Sequence, residues 1–253
     1  MPLWYEASFV QTMKWIYLLL LPNLLTAQPT IEWYRAFGGN SHEEPKAIIA
    51  TKDGGSLIAS HSSSHDGDAP GTLGAFDYWV IKLDSSGELE WSKGYGGSYN
   101  DIPRAIIQED DGSYVIAGYT ESNDFDVSGF HGGQFDCWLI KLSANGDLLW
   151  QKTYGGSEWD DCWDLKKCLD GGYIFVGSSE SSDYDLTENK GKDDYWIVKT
   201  DQAGNIQWQK SYGGSNEDFA YHVELTDDGG YLVAGQSAST DGDVGPLNGN
   251  VDY

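Results

Sequence analysis

Positive charge is scarce in this chain. Its 253 residues hold 15 Lys and Arg against 40 Asp and Glu, a net charge of -25. Such an excess of one sign repels nucleic acid and anionic membrane surfaces, which excludes both as expected partners. Cysteine is also sparse. Cys137, Cys162 and Cys168 make no disulfide framework, because an odd count leaves at least one thiol unpaired. Cys162 and Cys168 stand six apart on one expected strand, about 20 Å when extended, too far to pair within it. Beyond residue 27 there is no apolar run long enough to span a bilayer and no convincing helical period. Gly-x-Ser-x-Gly, His-Glu-x-x-His and Gly-rich phosphate-binding motifs are all missing. What the chain has in quantity is aromatic surface, 14% of residues with 11 Trp. So acidic a chain could be disordered only if it had little apolar surface to bury, and this one has plenty.

The first 27 residues read as a targeting segment. Lys14 precedes a mostly apolar run, Trp15 to Leu25, and Thr26-Ala27 supplies a cleavage site. A signal peptide over 1–27 is expected, with Met13 as a more natural start than Met1, followed by a repeat region over 28–253. No Cys follows the cleavage site, which argues against a lipid anchor.

That region is built on one period. Trp33, Trp91, Trp150 and Trp208 fall at intervals of 58, 59 and 58 residues. Three of them open the phrases Trp91-Ser-Lys-Gly-Tyr-Gly-Gly-Ser, Trp150-Gln-Lys-Thr-Tyr-Gly-Gly-Ser and Trp208-Gln-Lys-Ser-Tyr-Gly-Gly-Ser. A fixed period of this size means one supersecondary unit stacked on copies of itself. Each copy resolves into four short apolar runs. The first is irregular (Ala47-Ile-Ile-Ala, Ala105-Ile-Ile-Gln) and ends at an Asp-Gly turn such as Asp53-Gly-Gly, read as a two-residue hairpin. The second is Tyr114-Val-Ile-Ala-Gly and its equivalents, whose recurring Gly118, Gly177 and Gly235 suit a crowded inner strand. After a loop of about 14 residues comes the third, Asp77-Tyr-Trp-Val-Ile-Lys-Leu, with period two. An Asp-x-x-Gly turn leads to the fourth, which carries the phrase Trp. The expected fold is all-β, a β-propeller-like array of four-stranded antiparallel blades in about four repeats.

Recurrent Trp residues of the third and fourth runs are expected to fill the space between blades. Burying one indole removes about 150–250 Å² from water, worth roughly 4–6 kcal/mol at about 25 cal/mol per Å². Trp150→Ala is therefore expected to cost about 3–5 kcal/mol. Ile31-Glu-Trp-Tyr is expected to be a fourth strand that completes the last blade of a closed ring. Asp252-Tyr253 stands where a third strand begins, so the sequence reads as part of a longer protein.

Alternation assigns the Asp-Gly and Asp-x-x-Gly turns to one face, and the Gly-Gly loops with the long loops to the other. The second face holds the recurrent acid. Asp-x-Asp recurs in register as Asp66 and Asp68, Asp124 and Asp126, Asp183 and Asp185, and Asp241 and Asp243. Carboxylates clustered in Gly/Ser-rich loops are hard oxygen ligands, which makes these eight residues candidate calcium ligands. Their other role is to cap turns by bonding backbone N–H groups. His61, His65, Asp66 and Asp68 share one loop and form a weaker candidate for a transition metal.

The segment Asp84-Ser-Ser-Gly87-Glu-Leu-Glu-Trp91 is similar to two propeller signatures, the sialidase Asp-box and the quinoprotein tryptophan-docking repeat. It misses the spacing of each by one residue and supports neither enzyme. The whole repeat, Trp-x-Lys-x-Tyr-Gly-Gly-Ser through Asp-Gly-Gly-Tyr to Asp-Tyr-Trp-Ile-Val-Lys-x-Asp-x-x-Gly, resembles repeats of long secreted bacterial β-propeller proteins. Many of those end in a type IX secretion sorting domain. Over residues 31–253 the resemblance implies export from, or display on, a Gram-negative cell. It also implies a non-catalytic binding or adhesion role toward an extracellular glycan or protein. The alternatives are a propeller polysaccharide hydrolase or lyase and a structural spacer. The enzyme would need a non-repeating acid, His, Arg or Tyr cluster near the axis, for which the repeats read as too uniform.

Overall fold

The structure, a computed structural model, describes residues 31, 33–69, 71–245 and 251–252. The expected signal peptide over 1–27 lies outside them. Of a first unit, residues 1–34, only 31, 33 and 34 are described, and none is in a strand. The fourth strand expected at the chain entry is therefore not formed at Trp33 and Tyr34.

The second unit, residues 35–253, is all-β, with fourteen strands and no helix among the described residues. The strands fall into antiparallel meanders that follow the sequence period. The first sheet is β1 (Glu43–Ala50), β2 (Ser56–Ser62), β3 (Asp77–Leu83) and β4 (Leu89–Tyr95). The second is β5 (Asp101–Gln108), β6 (Tyr114–Thr120), β7 (Asp136–Leu142) and β8 (Leu148–Tyr154). The third is β9 (Asp160–Lys167), β10 (Tyr173–Ser179), β11 (Asp194–Thr200) and β12 (Ile206–Tyr212). A fourth begins with β13 (Asp218–Leu225) and β14 (Tyr231–Ser237), and Asp252 bridges to Ser237 where the other copies start their third strand. Consecutive first strands, β1, β5, β9 and β13, lie against one another, while β4, β8 and β12 pack chiefly on their own sheets. The sheets thus converge at their first strands. Among the described residues no helix is long and apolar enough to cross a membrane.

Both turn types on the first face are the same hairpin. Thr51 N–H bonds Gly55 O at 3.0 Å, Gly54 N–H bonds Thr51 O at 2.9 Å, and only Gly54 has positive φ, at 86°. Asp84 and Gly87 repeat the pattern, with Gly87 at 79°. This is a three-residue loop closed by one left-handed glycine, not the two-residue turn expected at the Asp-Gly sites, which needs a different φ pattern, nor the four-residue turn expected at Asp84–Gly87. The glycine of the second strand answers a packing demand. A Cβ on Gly118 would lie 2.1 Å from Ile102 O and 2.6 Å from Tyr78 Oη. Opposite it β5 bulges between Pro103 and Ala105, so the chain runs close there.

The indoles divide into two sets. Trp79, Trp138 and Trp196 of the third strands are all buried, Trp138 and Trp196 in the core between sheets and Trp79 against Phe37, Ala69 and its own sheet. Trp91 and Trp150 of the fourth strands are only half-buried, and Trp208 is 36% exposed. They sit at the rim, where Trp91 Nε1–H reaches Ala144 O of the next sheet at 3.2 Å and its ring faces Tyr114. The expected cost of Trp150→Ala is accordingly an overestimate, and the large effect belongs to Trp138. Cys137 replaces the Tyr78 and Tyr195 of other copies, buried in the core beside Cys162. All three cysteines are free thiols and buried.

Candidate functional site

On the second face the recurrent acids fasten each long loop to the Gly-Gly loop that enters its sheet. The first acid of each pair accepts one backbone N–H: Asp66 from Asn40, Asp124 from Ser98, Asp183 from Ser157 and Asp241 from Ser215, all at 2.8–2.9 Å. The second accepts more loosely from Gly38, Gly96, Gly155 and Gly213, at 3.2–3.4 Å, through Asp68, Asp126, Asp185 and Asp243. The residue between the two acids is left-handed in every copy (Gly67, Phe125, Tyr184 and Gly242), which turns both carboxylates toward one loop. The bonds are those of the capping role.

Deeper in, two further acids meet at each seam between sheets. Asp101, at the start of β5, is fully buried and accepts from Gly97 N–H at 2.7 Å, Ser122 Oγ at 3.0 Å and Thr120 Oγ1. Burial pushes its carboxyl up to about 7, against the pull of those donors. Asp77, at the start of β3, faces it across Gly96. A Cβ on that glycine would stand 2.5 Å from Asp77 Oδ1 and 2.6 Å from Asp101 Oδ2. The next seams repeat the arrangement with Asp136 and Asp160, then Asp194 and Asp218. In all three, Oδ1 of the third-strand acid is buried with no hydrogen-bond partner. A backbone bond also crosses each seam: Asp101 N–H to Phe76 O at 2.6 Å, Asp160 to Phe135 at 2.8 Å and Asp218 to Asp193 at 2.7 Å.

Everything so far repeats. The repeat breaks at the second-face end of the first two strands of each sheet. Cross-strand register pairs Glu44 with His61, Ile102 with Tyr119, Asp161 with Ser178 and Phe219 with Gln236. The residues two before the first member are His42, Asn100, Trp159 and Glu217. At the bulge of each first strand stand Lys46, Arg104, Trp163 and Tyr221. Since the first strands lie side by side, these divergent side chains form one continuous strip. The Arg104 guanidinium covers the Trp163 ring at 3.9 Å and approaches Tyr119 at 5.4 Å. Trp163 meets Tyr221 edge to face at 5.3 Å, and Phe135 stacks with Tyr119 at 4.4 Å and touches Trp159 at 4.6 Å. Asp161, buried in the strip, lies 3.5 Å from Arg104. Burial raises its carboxyl to about 6, offset by that guanidinium. The Nε1 of Trp159, the Nε1 of Trp163 and the Nε of Arg104 are buried and have no acceptor. Half-buried aromatic rings beside a guanidinium present flat apolar faces on which a ring-shaped ligand can stack.

Sequence reading missed this strip. Its expectation that the repeats are too uniform to supply a non-repeating cluster fails at these positions. The signal lay in the first run, the least regular of the four. The loop cluster expected from His61, His65, Asp66 and Asp68 is not assembled either. His65 turns to Thr72 Oγ1 at 3.4 Å, the two acids bond backbone as above, and His61 instead meets His42 and Glu44.

No family model matches the chain, and no curated protein matches it.

Proposed function

We propose that this is an extracellular or cell-surface binding module, non-catalytic, whose ligand is a glycan laid along the strip from Tyr119 to Tyr221. The carrying observation is the break in the repeat. Side chains that hold the seams recur in copy after copy, whereas those of the strip differ in each and include half-buried aromatic rings beside a guanidinium. Aromatic faces stack on the apolar faces of sugar rings. Export and display by a Gram-negative cell belong to the same proposal, supported by the apolar run before Ala27 and by the resemblance of the repeat.

The test is a glycan array probed with the intact chain, followed by titration of any hit against Trp163→Ala. Saturable binding that the substitution weakens by about tenfold or more is expected, the loss of one stacked ring being worth about 1–3 kcal/mol. Equal binding by the variant would move the ligand elsewhere, and release of reducing sugar would make the module an enzyme.

For the loop acids Asp66, Asp68, Asp124, Asp126, Asp183, Asp185, Asp241 and Asp243, the bonds favour capping over calcium ligation. Titrating chelator-treated protein with calcium is expected to give no heat and no melting shift. A saturable heat would return them to the role of ligands.

A further inference from the structure

We infer that His42, Glu44 and His61 form a binding site for one divalent ion of the zinc class. The register of β1 and β2 puts Glu44 directly opposite His61. His42, two residues before Glu44, falls on the same side of the chain, since side chains alternate along an extended strand. One donor atom from each of the three lies within 4.8 Å of the others. A tetrahedral zinc with bonds of about 2.0–2.2 Å would hold those atoms about 3.3 Å apart, within reach of small side-chain rotations. The two imidazoles stack at 5.7 Å, and the edge of Phe76 closes on them at 4.9 Å from His61 and 5.7 Å from His42. The ligands thus have an apolar wall behind them.

His61 supplies a second and independent observation. Its ring is 6% exposed, its Nδ1 is buried with no partner, and its Nε2 stands 3.8 Å from Glu44 Oε2, beyond hydrogen-bond length. A buried imidazole with neither nitrogen bonded is costly unless something else meets it. Lys46 Nζ holds Glu44 by Oε1 at 2.6 Å and leaves Oε2, the oxygen toward His61, for the ion. Two imidazoles and one carboxylate select zinc, copper or nickel over calcium or magnesium. The fourth position stays open to water or to an oxygen of a ligand.

The set occurs in one copy. Its equivalents are Asn100, Ile102 and Tyr119, then Trp159, Asp161 and Ser178, then Glu217, Phe219 and Gln236. Zinc should therefore bind once per chain, whereas ligation by the repeated acids would give several equivalents. The site stands independently of the glycan reading and can fail or hold without it.

The experiment is isothermal titration of chelator-treated intact chain with zinc chloride, with calcium chloride as control. One equivalent of zinc at micromolar or tighter affinity is expected, with no saturation by calcium. His42→Gln and Glu44→Gln change exposed residues and should keep the wild-type melting temperature while weakening zinc at least tenfold. His61→Asn should abolish binding. Cobalt(II) should give the visible absorption of a four-coordinate site, lost in the same variants. Absence of zinc heat, several equivalents per chain, or unchanged affinity in His42→Gln and Glu44→Gln would each overturn the assignment.

Discussion

Replacing Trp138 by alanine is expected to cost about 3–5 kcal/mol in a urea unfolding curve, among the largest losses any single truncation here will give. The indole is 0% exposed. It packs on Tyr78 of the preceding sheet with ring centroids 4.6 Å apart, and its Nε1–H is spent on Gln151 Oε1 at 2.9 Å. Truncation removes the burial, opens a cavity between two sheets and leaves the Gln151 amide without its donor. The surrounding strands cannot close the hole, because Tyr78 Oη is tied to Trp138 O at 3.2 Å and each strand is held by its ladder. Trp150→Ala, at the half-exposed rim, should lose less than half as much. Equal losses in the two variants would mean that the third-strand indoles are not the core, and the reading of the sheet seams would have to be revised.

The melting temperature is expected to rise as pH falls from 7.5 to about 5. Asp77 and Asp136 are buried, each with an orphaned Oδ1, and burial raises them to about 6 and about 7. A carboxyl whose pKa rises on folding stabilises the folded chain below its unfolded value, about 3.9. That contribution is lost as pH climbs through the folded value. The window is therefore about pH 4 to 7. His61, lowered to about 4, works in the opposite sense below its unfolded value near 6.5, and it is one group against several. Acids held low by lysine, such as Asp110 at about 2 between Lys52 and Lys167, titrate outside the window. Repulsion within a chain of net charge -25 acts in the same direction as the buried acids, but salt screens surface charge and leaves the seam acids unaffected. Asp136→Asn separates the two. It keeps the shape and removes the ionisation, so it should stabilise the fold at pH 7.5 by about 1–3 kcal/mol, below the roughly 4 kcal/mol ceiling that a three-unit shift implies. At pH 5 it should change little. A melting curve for Asp136→Asn that follows the wild type at every pH would show that Asp136 carries its charge at no cost.

Much of the architecture was legible in the residues. The 58-residue spacing, the Asp-Gly turns and the period-two third strand led to the right meander, and Gly118, Gly177 and Gly235 marked the crowded second strand. What stayed hidden depends on partners far apart in the chain. His42 and Glu44 are nearly twenty residues from His61, and only the β1–β2 register sets them side by side. The bulge residues look like ordinary members of an irregular strand until pairing shows one residue skipped. The burial of Trp138 and the half-exposure of Trp150 could not be separated either, because which neighbouring sheet covers each ring leaves no trace in composition.

Each seam uses the same fastenings: one backbone bond, one glycine between two carboxylates, one tyrosine or its substitute in the core. A newly duplicated copy would therefore find a compatible neighbour on either side without new complementarity having to evolve. The side chains of the strip also touch across the seams but differ from copy to copy, while those fastenings stay the same. Copy number and the composition of the strip can then change separately in such a lineage, the first by recombination within the gene and the second by point substitution at four positions per copy.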